Sequence, residues 1–419
     1  MRSNSGFLRV LITGAILVAS AVSGSALRPG RHPQLVIDAA AALADQPVHI
    51  AVTGLTPGAQ VTLVTRASDY RSQPWQARAT FVAGPSGTVD PGEQAPTGGT
   101  YRGVDPMGLF WSMNPVTGDP GTAAFSPLFP QVAPSFAIEL SAYLGTQRIA
   151  VRVLTRRWMA SGVTHRRLAL AHDGVVGDLF LPPPGSTPHP AVLAFGGSEG
   201  GESMNYAAAL LASHGYRALS LGYFALPGLP KTLRDIPLEY FAAAARALAA
   251  QPGVDPAHVL AMGYSRGTEA ALLLADLFPD LVHGAVLYAP SAVINVGFPG
   301  GGAAWTLHGE PVTLYPIPVD HVSGPVLALG GQNDGLWDSA DWAEQIDHEL
   351  SVAGSPYPHH ALVFPDAGHG LGTFPYLPAA TSQLQPVTHQ RLDLGGTRAG
   401  NEAAQQTGWG RVLALLASL

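Results

Sequence analysis

The chain contains no cysteine. That excludes disulfides, thiolate metal sites, a cysteine nucleophile and a lipid-modified cysteine anchor. Charge is scarce as well: only 12% of the 419 residues are Asp, Glu, Lys or Arg. The net charge is −7 and no long basic run occurs, which argues against nucleic acid as a partner. No H-E-x-x-H or comparable metal-ligand spacing is present. G-x-G-x-x-G and G-x-x-x-x-G-K-S/T are missing too, so neither a metal nor a nucleotide cofactor is expected. Long apolar runs are confined to the N-terminus. There Val10 to Val22 is almost wholly apolar but shorter than the roughly 20 residues that a membrane span needs. Arg2 and Arg9 precede or open it, and small residues follow, including Ala19-Ser20-Ala21. Residues 1–26 therefore read as an export signal, and a periplasmic or secreted location is expected, with the cytoplasm as the alternative.

What the chain does have is apolar substance. The hydrophobic fraction of 47% is ample for large cores, and 49 glycines with 37 prolines imply many turns. The length suggests about two to three domains.

One stretch carries chemistry. Gly263-Tyr264-Ser265-Arg266-Gly267 follows a short apolar run, Val259 to Met262, and precedes an apolar helical stretch, Thr268 to Phe278. Strand, G-x-S-x-G, helix is the setting of a nucleophile elbow. The serine backbone is strained there, so the flanking positions must be small, and Gly263 and Gly267 meet that need. A serine hydroxyl needs a base to become nucleophilic, and the base needs an orienting acid. In this architecture the chain order is serine, acid, histidine. The apolar strand Val326–Leu329 leads into Gly330-Gly331-Gln332-Asn333-Asp334, and Ala361–Phe364 leads into Pro365-Asp366-Ala367-Gly368-His369-Gly370. Loops that follow parallel strands meet at one edge of an open sheet. Ser265, Asp334 and His369 are thus expected in one crevice.

Each residue has a plainer explanation when taken singly. Ser265 could be a helix N-cap, Asp334 a turn before a helix over Trp337 to Leu350, and His369 one of fifteen histidines. Their joint arrival in order, each after an apolar strand, favours the chemical reading. The rival acids Asp338 and Asp341 fall in the predicted helix, and Asp366 is assigned to shaping its turn. His321, His359 and His360 precede strands, at the wrong sheet end. Acyl transfer also calls for two N–H donors facing the developing oxyanion. The Arg266 amide is one. The second is assigned to the loop Gly196–Gly201 after strand Ala191–Phe195, from Gly197 or Ser198. The Arg266 side chain either meets an anionic substrate or pairs locally.

Two grains of sequence divide the chain. Residues 34–160 hold short alternating strands, such as Val48–Val52, Val61–Thr65 and Trp75–Phe81, with a closing hairpin of Ala137–Leu144 and Gln147–Leu154. This predicts an Ig-like β-sandwich. Residues 164–419 alternate strand and helix and predict a doubly wound α/β sheet. It opens with a strand pair about the Asp173-Gly174 turn and ends with a helix over Glu402–Leu416. The Gly/Pro-rich stretch Ser291–Ser323 is expected to line the substrate pocket.

With these residues in view, the chain resembles the acyl-CoA thioesterase and bile acid-CoA:amino acid N-acyltransferase family. The resemblance rests on Val52-Thr53-Gly54-Leu55-Thr56-Pro57-Gly58 and Asp105-Pro106-Met107-Gly108-Leu109-Phe110-Trp111 in the first domain. In the second it rests on Leu229-Pro230-Lys231-Thr232, Leu238-Glu239-Tyr240-Phe241, the elbow with Glu269, Gly331–Asp334 with Trp337, and Gly368-His369-Gly370. It implies an α/β-hydrolase domain behind a β-sandwich, and acyl transfer from a thioester. Ser265 would attack, His369 would take its proton, Asp334 would hold the imidazole, and coenzyme A would leave. The family's amide-forming branch uses cysteine where Ser265 stands, so the resemblance implies hydrolysis rather than transfer to an amine. An exported carboxylesterase acting on ordinary esters, an N-acyltransferase to an amine acceptor and a non-catalytic binding module are the competing readings.

Overall fold

A computed structural model describes residues 32–125, 133–184 and 189–419. The expected export segment, 1–26, lies outside them.

The first part of the chain builds two β layers. The strands Gln60–Ser68, Pro74–Val82, Ser135–Leu144 and Gln147–Arg157 form the body of a seven-stranded sheet. Ala41–Leu43 adds to one edge in parallel, and Gly98–Gly99 and Asn114–Pro115 both pair with Pro74–Val82. Along Pro74–Val82 every second side chain is buried, including Trp75, Ala77, Ala79 and Phe81. That period of two is what a strand with one core face requires. The facing layer is small: Gln34–Ile37 pairs antiparallel with Ile50–Thr53, and Val52 bridges to Val89. Leu35 and Val52 pack between the layers against Leu63, Phe81 and Leu140.

The second part is built on an eight-stranded sheet, with a small three-stranded and a two-stranded sheet beside it. The strands of the large sheet are β1 (Thr164–Leu168), β2 (Val176–Leu181), β3 (His189–Phe195), β4 (Arg217–Gly222), β5 (Val254–Tyr264), β6 (Ala285–Tyr288), β7 (Val326–Gly331) and β8 (His359–Phe364). They lie in the order β1-β2-β4-β3-β5-β6-β7-β8, antiparallel at β1, β2 and β4 and parallel from β4 to β8. The central strands are mostly apolar and buried because helices cover both faces. Helices α2 (Leu238–Ala249), α3 (Gly267–Leu277) and α4 (Ser339–Val352) share one core with Leu193, Leu219, Ala261, Leu287 and Ala328. Helices α1 (Asn205–Ser213) and α5 (Arg398–Ala417) share the other with Val192, Ala218, Met262, Val286 and Leu329. Neighbouring residues of one strand therefore serve opposite cores. The outer strand β1, Thr-His-Arg-Arg-Leu, is mostly exposed, and its charges guard a sheet edge. This is the doubly wound α/β-hydrolase arrangement.

Three expectations change in detail. β1 and β2 do pair, but through a helical turn at Leu170–Asp173 rather than a tight turn at Asp173-Gly174. The Asp173 carboxylate accepts the Ala169 N–H at 2.9 Å and Gly174 closes the turn with φ +72°. Helix α5 begins at Arg398, ahead of Glu402, because the Thr397 side chain caps it by accepting the Gly400 N–H. Helix α4 begins at Ser339, so Asp338 is its N-cap position.

The two parts meet in an aromatic and polar seam. The Trp158 ring lies between Phe136 and Tyr206, with centroids 5.6 and 4.3 Å away. The buried Asp45 carboxylate accepts the Trp409 indole N–H at 2.8 Å and meets His214 at 2.6 Å. Among the described residues no helix is long and apolar enough to cross a membrane.

Candidate active site

β5 delivers Ser265 to the carboxyl end of the parallel strands, and α3 starts two residues later. Ser265 has φ +55°, a region that a side chain adopts only under constraint. The constraint is visible. Its N–H donates to the Tyr288 carbonyl of β6 at 2.9 Å, and its own carbonyl accepts the Thr268 hydroxyl at 2.6 Å. The glycines on either side are required by contact. A methyl on Gly263 would lie 2.5 Å from the Gly267 oxygen, and one on Gly267 would lie 2.4 Å from the Gly196 oxygen.

The three residues singled out in the sequence come together. His369 Nε2 is 2.8 Å from Ser265 Oγ, and His369 Nδ1 is 2.8 Å from Asp334 Oδ2. The His369 and Asp334 side chains are only 2% and 1% exposed. A carboxylate can only accept, so Nδ1 carries the imidazole proton and Nε2 is left to accept from the serine hydroxyl. Asp334 is held in turn: its Oδ1 accepts the N–H of Leu336 at 2.9 Å and of Trp337 at 3.3 Å. The Trp337 ring stands edge-on to the imidazole at 5.1 Å. The His369 backbone is pinned at both ends, its N–H to the Leu394 carbonyl at 2.7 Å and its carbonyl to the Tyr264 hydroxyl at 2.9 Å. Burial pushes the Tyr264 phenol far up, so it remains a neutral donor.

The rival residues sit elsewhere. His359 and His360 open β8 at the far end of the sheet, and His321 lies beside Asp276. The Asp366 carbonyl accepts the Thr397 N–H, which ties the histidine loop to the start of α5.

Of the two loop positions named for oxyanion contact, Gly197 is the one against the serine. A methyl there would lie 2.7 Å from Ser265 Cβ. Its N–H, however, is already engaged, at 3.0 Å from both carboxylate oxygens of Glu199. Ser198 uses its carbonyl to accept the Gln385 amide at 2.7 Å. The Arg266 side chain pairs locally: Nε donates to Glu269 at 2.6 Å, with Glu269 fully buried. Asn295 and Trp305 donate to the same carboxylate at 3.0 and 2.8 Å. Burial pushes the Glu269 carboxyl up, and Arg266 opposes that shift. The local signal for this cluster was only the spacing of Arg266 and Glu269 on one helical turn. Asn295 and Trp305 join through folding and carried none.

An apolar cavity of about 440 Å³ opens beside this cluster, lined by Ile294, Asn295, Val296, Val312, Leu314 and Tyr315 among others. All six lie in the Gly/Pro-rich stretch expected to form a pocket. Its link to the elbow is the Asn295 carbonyl, which accepts from the Arg266 guanidinium at 2.8 Å. Among the described residues no cluster of three metal-ligating side chains occurs.

Comparison with known proteins agrees with the two-part architecture. Residues 45–169 match the family described as the acyl-CoA thioester hydrolase/BAAT N-terminal region, and residues 305–418 match the BAAT/acyl-CoA thioester hydrolase C-terminal family. Acyl-coenzyme A amino acid N-acyltransferase 2 of Rattus norvegicus is 31% identical over 90% of this chain and 95% of its own length. Acyl-coenzyme A thioesterase 6 of Mus musculus is 30% identical over 88% and 92%. Among solved structures, a dienelactone hydrolase-like promiscuous phosphotriesterase from metagenomic libraries is 18% identical over 62% of this chain and 99% of that one, with a TM-score of 0.40. The chain belongs to the acyl-CoA thioester hydrolase/BAAT enzyme family.

Proposed function

We propose that this protein is a serine hydrolase of acyl thioesters, with coenzyme A as the leaving thiol. What supports the reading most is the unbroken hydrogen-bond chain from Ser265 through His369 to Asp334, both links 2.8 Å long. Family membership supports the thioester substrate, since relatives are named acyl-coenzyme A thioesterases and N-acyltransferases.

The steps follow from the residues. Ser265 Oγ attacks the thioester carbonyl as its proton passes to His369 Nε2. Asp334 stabilises the imidazolium without taking the proton. The negative charge moves to the former carbonyl oxygen, where the Arg266 and Gly197 amides receive it. Collapse breaks the carbon–sulfur bond, and His369 returns the proton to the thiolate as it leaves. Water then gives its proton to His369 and attacks the acyl-serine; the carbon–Oγ bond breaks, His369 returns the proton to Ser265 Oγ, and the fatty acid is released. The apolar cavity beside Asn295 suits the hydrocarbon of the acyl group.

Hydrolysis is favoured over transfer to an amine because an oxygen ester on serine is open to water, and the chain has no cysteine to form an acyl thioester instead. Release of free thiol from palmitoyl-CoA by purified enzyme tests this. Thiol release with free palmitate as co-product supports it. No thiol release while p-nitrophenyl esters are cleaved would make the protein a carboxylesterase. Thiol release accompanied by palmitoyl-glycine in the presence of glycine would make it a transferase.

A further inference from the structure

The Glu199 carboxylate lies where the reaction needs an empty donor. Gly197 sits against Ser265, and its N–H points between the two Glu199 oxygens at 3.0 Å each. The Ser203 hydroxyl donates to Glu199 Oε1 at 2.6 Å and fixes the side chain in place. Among the described residues Glu199 has no cationic partner, so only neutral donors hold it. A carbonyl oxygen that is gaining negative charge cannot share the Gly197 N–H with a carboxylate. The loop has a route for the side chain to leave, because Gly200 and Gly201 follow it directly with φ +70° and +72°. Glu199 itself is half-exposed.

We propose that Glu199 is a specificity-determining residue, a carboxylate gate over the oxyanion donor that admits acyl donors able to displace it. Displacement draws on binding energy from parts of the substrate remote from the reacting carbonyl. A long-chain acyl thioester with a large leaving group has such contacts. A minimal ester has almost none and meets the closed gate. The gate rests on the serine-hydrolase reading, in which Gly197 donates to the oxyanion.

The test compares wild type and Glu199→Ala on p-nitrophenyl acetate and palmitoyl-CoA. The variant is expected to raise kcat/KM on the small ester by at least about tenfold and on palmitoyl-CoA by clearly less. Glu199→Gln, which keeps the volume but offers a neutral acceptor, is expected to move the same way by less, and it decides the matter if Glu199→Ala does not fold. An unchanged ratio of the two substrates, an equal rise on both, or a loss of ester activity overturns the gate. The two ideas separate cleanly. Wild type that releases no CoA beside a Glu199→Ala variant with a raised ester rate retains the gate and discards the thioesterase reading. Robust CoA release with an unmoved substrate ratio does the reverse.

Discussion

Arg398, in the first turn of α5, donates to the Met113 carbonyl at 2.6 Å, across the seam between the two parts of the chain. The same guanidinium reaches the Trp111 carbonyl at 3.1 Å and the Asn114 side chain on that far side, and the Ala379 carbonyl at 3.2 Å on its own. Burial pulls it down to about 10, so it stays charged at neutral pH. The same helix start holds the histidine loop, since Asn401 Oδ1 accepts the Gly368 N–H at 2.8 Å. A second path runs parallel. The Thr381 N–H donates to the carbonyl of Gly121, in a 3-10 turn of the N-terminal part, Leu394 donates to Thr381, and His369 donates to Leu394. The N-terminal part is thus three hydrogen bonds from the histidine backbone along this path.

Replacing Arg398 by alanine is therefore expected to lower both stability and turnover. Charge-assisted hydrogen bonds to buried carbonyls are lost, at a cost of roughly 3 kcal/mol. A loosened histidine loop should lower kcat by about tenfold with KM little changed. Urea denaturation and steady-state kinetics on the same preparation check both. Full activity in Arg398→Ala would uncouple the N-terminal layers from the site.

Alanine at Ser265 or His369 is expected to reduce kcat by on the order of 10⁶, and at Asp334 by about 10⁴. The double variant Ser265→Ala/His369→Ala should be no worse than either single one, because the pair acts as a unit. Losses of merely a few-fold would return these residues to the plainer roles of helix cap, loop histidine and turn aspartate.

Two glycines to alanine should behave oppositely. At Gly267 the new methyl meets the Gly196 carbonyl at 2.4 Å, so the elbow must open and kcat should fall by about 10² or more. At Gly410, exposed on α5 with nothing within 4 Å of the added carbon, alanine should raise stability by about 1 kcal/mol. Thermal denaturation with parallel activity assays separates the two.

Glu402 sets a pH dependence of stability. It lies on the buried face of α5, where its carboxyl group accepts the Tyr376 N–H at 3.0 Å and the Gln406 amide at 3.0 Å. Burial raises its carboxyl to about 8 from 4.5, and the hydrogen bonds only partly oppose this. The folded state therefore holds a proton that the unfolded chain releases. Its contribution is complete below pH 4.5 and is lost as pH rises toward 8. Glu402→Gln should flatten that decline and leave the variant more stable than wild type at pH 8.5 by on the order of a few kcal/mol. Melting curves from pH 5 to about 9 would show it, and parallel profiles for both proteins would contradict it.

Much of the candidate site was legible because its signals are local. Ser265, Asp334 and His369 each follow an apolar strand, and a parallel sheet collects such loops at one edge. The glycines at 263 and 267 announce a tight turn in any reading. The alternation that assigns Val192 and Leu193 to opposite cores is equally local. What escaped notice is made by distant partners. Nothing near Arg398 hints at Met113, and nothing near Asp45 hints at Trp409 and His214. Gly400 obscured the start of α5 because a glycine in a first turn resembles a stop, although Thr397 uses its amide as a cap. The helical turn at Leu170–Asp173 was hidden because Asp173-Gly174 resembles a hairpin turn, while the decisive contact is Asp173 reaching back to Ala169. Glu199 was visible as a charge in a glycine loop, but its contact with the Gly197 amide two residues away depends on the loop's own backbone turn, which composition does not specify.

The most direct measurement is the mass of the enzyme itself during turnover. Wild type mixed with palmitoyl-CoA, quenched with acid within milliseconds and digested, should carry one palmitoyl group on the peptide that contains Ser265, and none in Ser265→Ala. A palmitoyl group on any other residue, or CoA release that persists undiminished in Ser265→Ala, would contradict the assignment.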